Sequence, residues 1–345
     1  MWATFSLIFA ITSFGLATAL VSNATSDVTS VGHAVQDLNT TVSFYHNVLG
    51  LQVLTQDSQP VTNEAYSLLT NTSATALYRT AKIQIPNQEW PLVLTQYYNV
   101  STTTVKQREQ DPAAPGLTLT VKNATAINAV LREISAPTVN GQPVPNATAE
   151  GTTSTVWVYD PDGYMIELVQ RSGASDYFTV PPPTITDGPG MEYIIRGQLD
   201  LTMRNISQAL TFYAGILSLN ITSGFEPLIG PGQYEQVGAI GSVFNISSTV
   251  YWAAATGNCD PTTRCEYYEY DDPTRVTIAY PAAYPGIGMT TYAVKNLDTV
   301  LRQIRGVGLT IVTRGGSPVV VDGARSIVVR DPSGYLVRLD ENYCV

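Results

Sequence analysis

The chain has 345 residues, more than one hydrophobic core usually holds, so its length points to two domains. It is 44% hydrophobic and 13% charged, the composition of ordinary globular protein, with a formal net charge of -10. That balance argues against nucleic acid and anionic membrane surfaces as partners, because no cluster of Lys and Arg is present to displace counterions.

From the N-terminus, residues 1–19 form an apolar run ending in Ala17-Thr18-Ala19, the small-x-small pattern of a secretory signal peptide. The run lacks a basic start, and a membrane anchor is the alternative reading. No later stretch is long and apolar enough to span a bilayer. Nine Asn-x-Ser/Thr sequons follow, at Asn23, Asn39, Asn71, Asn99, Asn123, Asn146, Asn205, Asn220 and Asn245, more than chance supplies. They predict a secreted glycoprotein with some sequons unused.

The segment FYHNVLG, residues 44–50, reads as a helix end with Gly50 in the left-handed conformation. It recurs as FYAGILS at 212–218, with alanine in place of His46. The wider match of residues 37–51 to 205–219 is ungapped, and DPDGYMIEL at 160–168 is repeated as DPSGYLVRL at 331–339. Between them, PAAPGLTLTVKN at 112–123 and PAAYPGIGMTTYAVKN at 281–296 each lead into a helical period, Ile127 with Leu131 and Val300 with Ile304. The chain is therefore a duplication of a lobe that itself holds two similar modules. Residues 28–178 form the first lobe, the proline-dense stretch 179–192 the linker, and 193–345 the second lobe. Each module reads as strand, helix and further strands, so the fold class is α+β. Cys259 and Cys265, six residues apart around a proline, are placed to close a disulfide in an oxidising compartment, and Cys344 is left over.

The combination of FY...LGL with DPDGY.IEL resembles the vicinal oxygen chelate superfamily, which includes glyoxalase I, extradiol dioxygenases and bleomycin-binding proteins. The resemblance covers nearly all of the chain after the signal. It implies four βαβββ modules, paired two per lobe, whose curled mixed sheets each enclose a cavity. It also places His46 on the outer face of its helix, as a solvated residue without a chemical role.

In this family a divalent metal is held by His, Gln or Glu from first strands and by a Glu near the last strand. The terminal Glu matches as Glu167, with Arg338 at the corresponding place in the second lobe. Counting back seven residues from Asp37, Asn123, Asn205 and Asn296 lands on Ser30, Gly116, Gln198 and Met289. His33 lies three residues off that register, on the helix-facing side, as a core histidine or, with a bulge, a ligand. Val93 stands where the first module would supply a carboxylate. One lobe then has Glu167 alone and the other Gln198 alone, too few donors, so no cofactor is expected and His33 and Glu167 are the weak candidates for a retained metal.

Glu167 shares a strand face with Met165 and Val169, an apolar setting suited to acid or base work. Arg338, Gln198 and Asp200 are candidates for binding substrate, and an internal pair of Arg338 with Asp340 or Asp200 is the bland alternative. The expected function is a secreted enzyme moving a proton within a small oxygen-rich metabolite, as an isomerase, lyase or cyclase. A noncatalytic protein that sequesters a small molecule is the alternative, and a metal-dependent glyoxalase or dioxygenase a second. The sequence leaves the oligomeric state open.

Overall fold

The computed structural model describes residues 27–148, 151–172, 194–221, 235–236, 241, 243–247, 249–259 and 263–341. The signal segment, the linker, Asn23 and Cys344 lie outside them.

The first module contains β1 (Asp27–Val35), α1 (Leu38–Ser43), β2 (Val53–Gln56), α2 (Glu64–Leu69), β3 (Leu77–Gln84) and β4 (Pro91–Tyr98). The second has β5 (Pro115–Val121), α3 (Ala124–Glu133), β6 (Val144–Thr148), β7 (Gly151–Tyr159) and β8 (Met165–Ser172). The third has β9 (Ile194–Thr202), α4 (Ile206–Leu210), β10 (Glu235–Gln236), β11 (Tyr251–Asn258) and β12 (Arg264–Tyr270). The fourth has β13 (Gly288–Val294), α5 (Leu297–Gly306), β14 (Val319–Val321), β15 (Ala324–Arg330) and β16 (Leu336–Glu341).

Each module's first helix starts the same way. Asp37, Asn123, Asn205 and Asn296 are extended N-cap residues whose side chains accept from the backbone N–H three positions on, satisfying a donor that the first helical turn leaves unpaired. In α3, Ile127 and Leu131 are buried, and in α5, Val300 and Ile304, so the helical periods face the sheets.

The FY segments differ from a plain helix end. α1 and α4 run into π-helical turns, Phe44–Val48 and Thr211–Ile216, in which Leu49 and Leu217 donate to the carbonyls of Phe44 and Phe212. The wider turn lets two consecutive aromatic residues, Phe44 with Tyr45 and Phe212 with Tyr213, both face the core. Gly50 closes the first turn at φ 72°, and Ser218 takes the same left-handed conformation at φ 59° in the repeat. His46 is not the free surface residue expected, because its Nδ1 lies 2.9 Å from the Leu51 carbonyl and ties down the end of the turn.

The strands form two eight-stranded mixed sheets that curl into half-barrels. One has the order β14-β15-β16-β13-β1-β4-β3-β2 and the other β10-β11-β12-β9-β5-β8-β7-β6. The modules therefore do not share sheets in chain order. The first pairs with the fourth through antiparallel β1 and β13, and the second with the third through antiparallel β5 and β9. Each sheet draws strands from both sides of residues 179–192.

Consecutive modules are joined instead by the two signature motifs. The Tyr45 hydroxyl donates to Asp160 Oδ2 at 3.2 Å, linking the first module to the second. The Tyr213 hydroxyl donates to Asp331 Oδ2 at 3.0 Å, linking the third to the fourth. Oδ1 of each aspartate meanwhile accepts backbone N–H groups of its own hairpin turn. The FY and DP.GY motifs are thus two halves of one buried contact. Sheet pairing and motif contacts alternate, so the four modules close into a ring around a continuous core.

Candidate functional site

Neighbouring strands share a face at each register position, which fixes what the concave side of the second sheet presents. Thr118 on β5 lies opposite Gln198 on β9 and beside Glu167 on β8, and Asp200 lies opposite Gly116 and beside Glu266 on β12. Glu167 and Gln198, assigned by the sequence to separate lobes, therefore meet in one sheet. Glu266 completes the set. It was findable, because the repeat places it where the first module has Val93.

The bonding is that of a crowded acceptor site. The Thr118 hydroxyl lies 2.8 Å from Glu167 Oε2 and also bonds Asp200 Oδ2. A hydroxyl donates one proton, so one of the two carboxyls must carry a proton of its own. Burial raises the pKa of both, with the Arg171 charge opposing it at Glu167 and the Glu266 and Glu167 charges adding to it at Asp200. The Gln198 amide donates to Asp200 Oδ1 at 2.8 Å. Glu266 is paired with Arg264 at 3.1 Å and takes a bond from the Tyr268 hydroxyl.

Beside Glu167 and Asp200 is a recess of about 10 Å³, room for one water-sized occupant. Among its described lining residues are three carboxyls, Glu109, Glu167 and Asp200, and no Lys or Arg. Trp157 and Met165 form an apolar wall, and Phe244 lies edge-on to Trp157 at 5.2 Å. Glu109 comes from the loop joining β4 to β5, which has no periodicity to single it out in the sequence. Its carboxyl pKa is pushed up to about 8 by burial and then by the Glu167 charge, while the Tyr270 hydroxyl donates to Oε1 at 3.2 Å.

Arg338 is not part of this site. It lies on β16 in the other sheet, where its Nε donates to Asp340 Oδ1 at 2.7 Å and a terminal nitrogen to Ser326 at 3.3 Å. The internal pair is with Asp340. Cys259 and Cys265 are joined across the β11–β12 hairpin, with Cα atoms 5.7 Å apart.

His33 forms a second cluster, on the helix-facing side of the first sheet. His33, Asp160 and Asp162, all buried, bring one potential ligand atom each to within 4.8 Å of one another, a spacing open to a divalent ion. Each atom already has a partner. His33 Nδ1 faces the Ala34 carbonyl at 3.0 Å, Nε2 lies 3.0 Å from Asp160 Oδ2, and its ring stacks on Tyr164 at 4.2 Å. Asp162 takes bonds from the Gln36 N–H at 2.6 Å and the Thr41 hydroxyl at 2.5 Å. With a carbonyl at one ring nitrogen and a carboxylate at the other, both nitrogens carry protons. Burial opposes that charge, but Asp160 and then Asp162 outweigh it and the histidine pKa rises. These donors fit an ion pair that caps a motif contact. Among the described residues His33, Asp160 and Asp162 are the one group of three His, Cys, Asp or Glu side chains that converges this closely; Glu167 and Asp200 offer a second, oxygen-rich pair beside Gln198.

A family model described as Glyoxalase/Bleomycin resistance protein/Dioxygenase superfamily matches residues 28–168. Among solved structures, glyoxalase I from Zea mays is similar over 92% of this chain and 93% of its own, at 16% identity and a TM-score of 0.57. A putative dioxygenase from Bacillus subtilis is similar over 93% of this chain and 86% of its own, at 12% identity and a TM-score of 0.53. Likeness at these identities speaks for the fold alone. No curated protein matches the chain. With the family match over the first half and its fold repeated in the second, the chain belongs to the glyoxalase, bleomycin resistance protein and dioxygenase superfamily, the vicinal oxygen chelate proteins.

Proposed function

We propose that the chain is a divalent-cation-dependent enzyme acting on a small metabolite with adjacent oxygens, at the concave face of its second sheet. The observation that carries this reading is the meeting of Glu167 and Asp200 at the single Thr118 hydroxyl, with Gln198 bonded to Asp200. Glu167, Asp200 and the Gln198 side-chain oxygen would hold the cation. When bound, such an ion polarises an oxygen of the ligand and makes a neighbouring proton easier to remove. Gln198 fixes the orientation of Asp200, Thr118 spaces Asp200 from Glu167, and Trp157 with Met165 keeps one wall free of water.

Elemental mass spectrometry and Mn²⁺ titration of the purified chain test the reading. About one equivalent should bind, be lost in Glu167→Gln and Asp200→Asn, and survive His33→Gln. An ion that leaves with His33→Gln and survives Asp200→Asn moves the centre to the Asp160 joint. No binding favours the noncatalytic alternative, a protein that sequesters a small ligand.

We also infer secretion. Where side chains of sequon residues are described, Asn39, Asn71, Asn99, Asn123, Asn220 and Asn245 are exposed and Asn205 is half-buried, so each can be reached by glycan-transferring machinery. Protein secreted from eukaryotic cells should fall in mass on treatment with a peptide N-glycosidase, and an unchanged mass would overturn the inference.

A further inference from the structure

Four consecutive hydroxyl residues, Ser101-Thr102-Thr103-Thr104, open the connection that carries the chain from β4 in one sheet to β5 in the other. All four are exposed and lie in neither helix nor strand. The segment is fixed at both ends, because Tyr98 closes β4 and the Val105 N–H donates to the Pro285 carbonyl at 3.1 Å. Between those anchors, among the described residues, the N–H and C=O groups of 100–104 form no backbone hydrogen bond.

Three other hydroxyl-rich places are tied up. Thr152-Thr153-Ser154-Thr155 has the same composition, but it lies within β7 and pairs with β6 on one side and β8 on the other. Ser73 bonds Thr75 at 2.9 Å and Ser247 bonds Thr249 at 2.8 Å, each within its own loop. Inside 101–104 the four residues also differ. Thr104 Oγ1 lies 3.4 Å from Gln36 Oε1, and Ser101 completes the Asn99 sequon. Thr102 and Thr103 are left, and neither hydroxyl is bonded to another described residue.

An enzyme that modifies a peptide segment can read it as an added strand, which requires main-chain groups without partners and a hydroxyl it can reach. The segment 101–104 offers both. A strand inside a sheet has already used its main-chain groups, which removes 152–155.

We propose that Thr102 and Thr103 are O-glycosylation sites, an inference that rests on the secretory route inferred above. The co-substrate class is a sugar activated as a phosphate ester in the secretory compartments, the setting in which Ser/Thr-dense segments acquire O-linked sugars. The threonine Oγ1 forms a bond to the anomeric carbon of that sugar, and the bond from the same carbon to the phosphate oxygen breaks. The phosphate leaves with the bonding pair, and the hydroxyl proton passes to a base of the transferase.

The full chain, secreted from yeast and from cultured mammalian cells, is treated with a peptide N-glycosidase and mapped by electron-transfer mass spectrometry. The peptide holding 101–104 should keep hexose- or hexosamine-sized increments on Thr102 or Thr103, and the peptide holding 152–155 should carry none. Thr102→Ala with Thr103→Ala should abolish the increments and leave the Asn99 sequon and its N-glycan in place. A bare 101–104 segment from both hosts in protein that bears N-glycans, or increments that survive the double substitution, would overturn the proposal and leave secretion standing. Protein without N-glycans and without these increments would overturn both.

Discussion

The two sheets share one architecture and differ at nearly every position that could do chemistry. Where the second has Gln198, Asp200, Glu266 and Glu167, the first has Ser30, Gly32, Val93 and Arg338. Thr118 has a counterpart in Thr291, but Thr291 bonds the Ser30 hydroxyl at 2.8 Å where Thr118 bonds two carboxyls. Position 32 cannot hold a donor at all, because a Cβ there would fall 2.0 Å from the Val93 carbonyl oxygen. Helix α2 also lies across that face, with Tyr66 against Tyr78 at 4.4 Å on one side and Leu69 accepting from Thr313 near the opposite rim. One half-barrel presents carboxyl and amide side chains on its concave face, and the other is packed interior. A pseudo-symmetric fold therefore gives no licence to copy a role from one half to the other.

The largest effect expected on this contrast comes from forcing the first sheet to resemble the second. Gly32→Asp should cost about 3 kcal/mol or more, because the backbone of β4 blocks the new side chain, and should be read as loss of soluble folded protein. A stable Gly32→Asp protein would show that packing did not close this face.

The motif contacts give the next test. His33→Leu leaves Asp160 and Asp162 buried without their cation and should cost about 3 to 5 kcal/mol in denaturant unfolding. Tyr213→Phe, in the counterpart contact that has no histidine, should cost about 1 to 2 kcal/mol. Equal losses would erase the distinction between the two joints.

The pH dependence of stability follows from the raised carboxyl pKa values. Glu109, Glu167 and Asp200 bind protons more tightly folded than unfolded, so the folded chain carries more protons between the ordinary carboxyl range and the Glu109 value of about 8. Stability should fall as pH rises through that window. His33, also raised, has the same sign, and its contribution is complete below 6.5 and lost above its folded pKa. Glu109→Gln should flatten the slope of Tm against pH, and an unchanged slope would remove Glu109 from the account. The smallest effect belongs to Arg338→Ala, which should cost about 1 kcal/mol or less and leave cation binding untouched.

Much of the fold was legible in residues. The Asp and Asn caps marked four helix starts, the DP.GY turns marked two hairpins, and β1, β3, β4, β7 and β8 were legible as strands. Two elements of the first module, β2 and α2, were not read, since strands and helices of four and six residues are too short to show a period. The larger gap was strand partnership. Alternation records which face of a strand is buried and not which strand lies beside it, so pairing modules in chain order split Glu167 from Gln198 and made the donors look too few. The separation of His33 from the concave face was legible, because an odd offset along a strand crosses the sheet. Its charge partners, Asp160 and Asp162, were not, because they lie 127 and 129 residues further along the chain.

The pairing of first module with fourth also constrains how the chain can be made. β1 lies between β4 and β13, and β13 in turn needs β16, which ends at Glu341. The first sheet therefore cannot be completed until β16 has been made, and β1 must wait with one edge unpaired while some 250 residues are added. Contacts this distant in sequence predict slow folding and make the nascent chain dependent on protection of that edge. Cutting the polypeptide within 179–192 after folding should leave the two pieces associated, since each supplies half of both sheets.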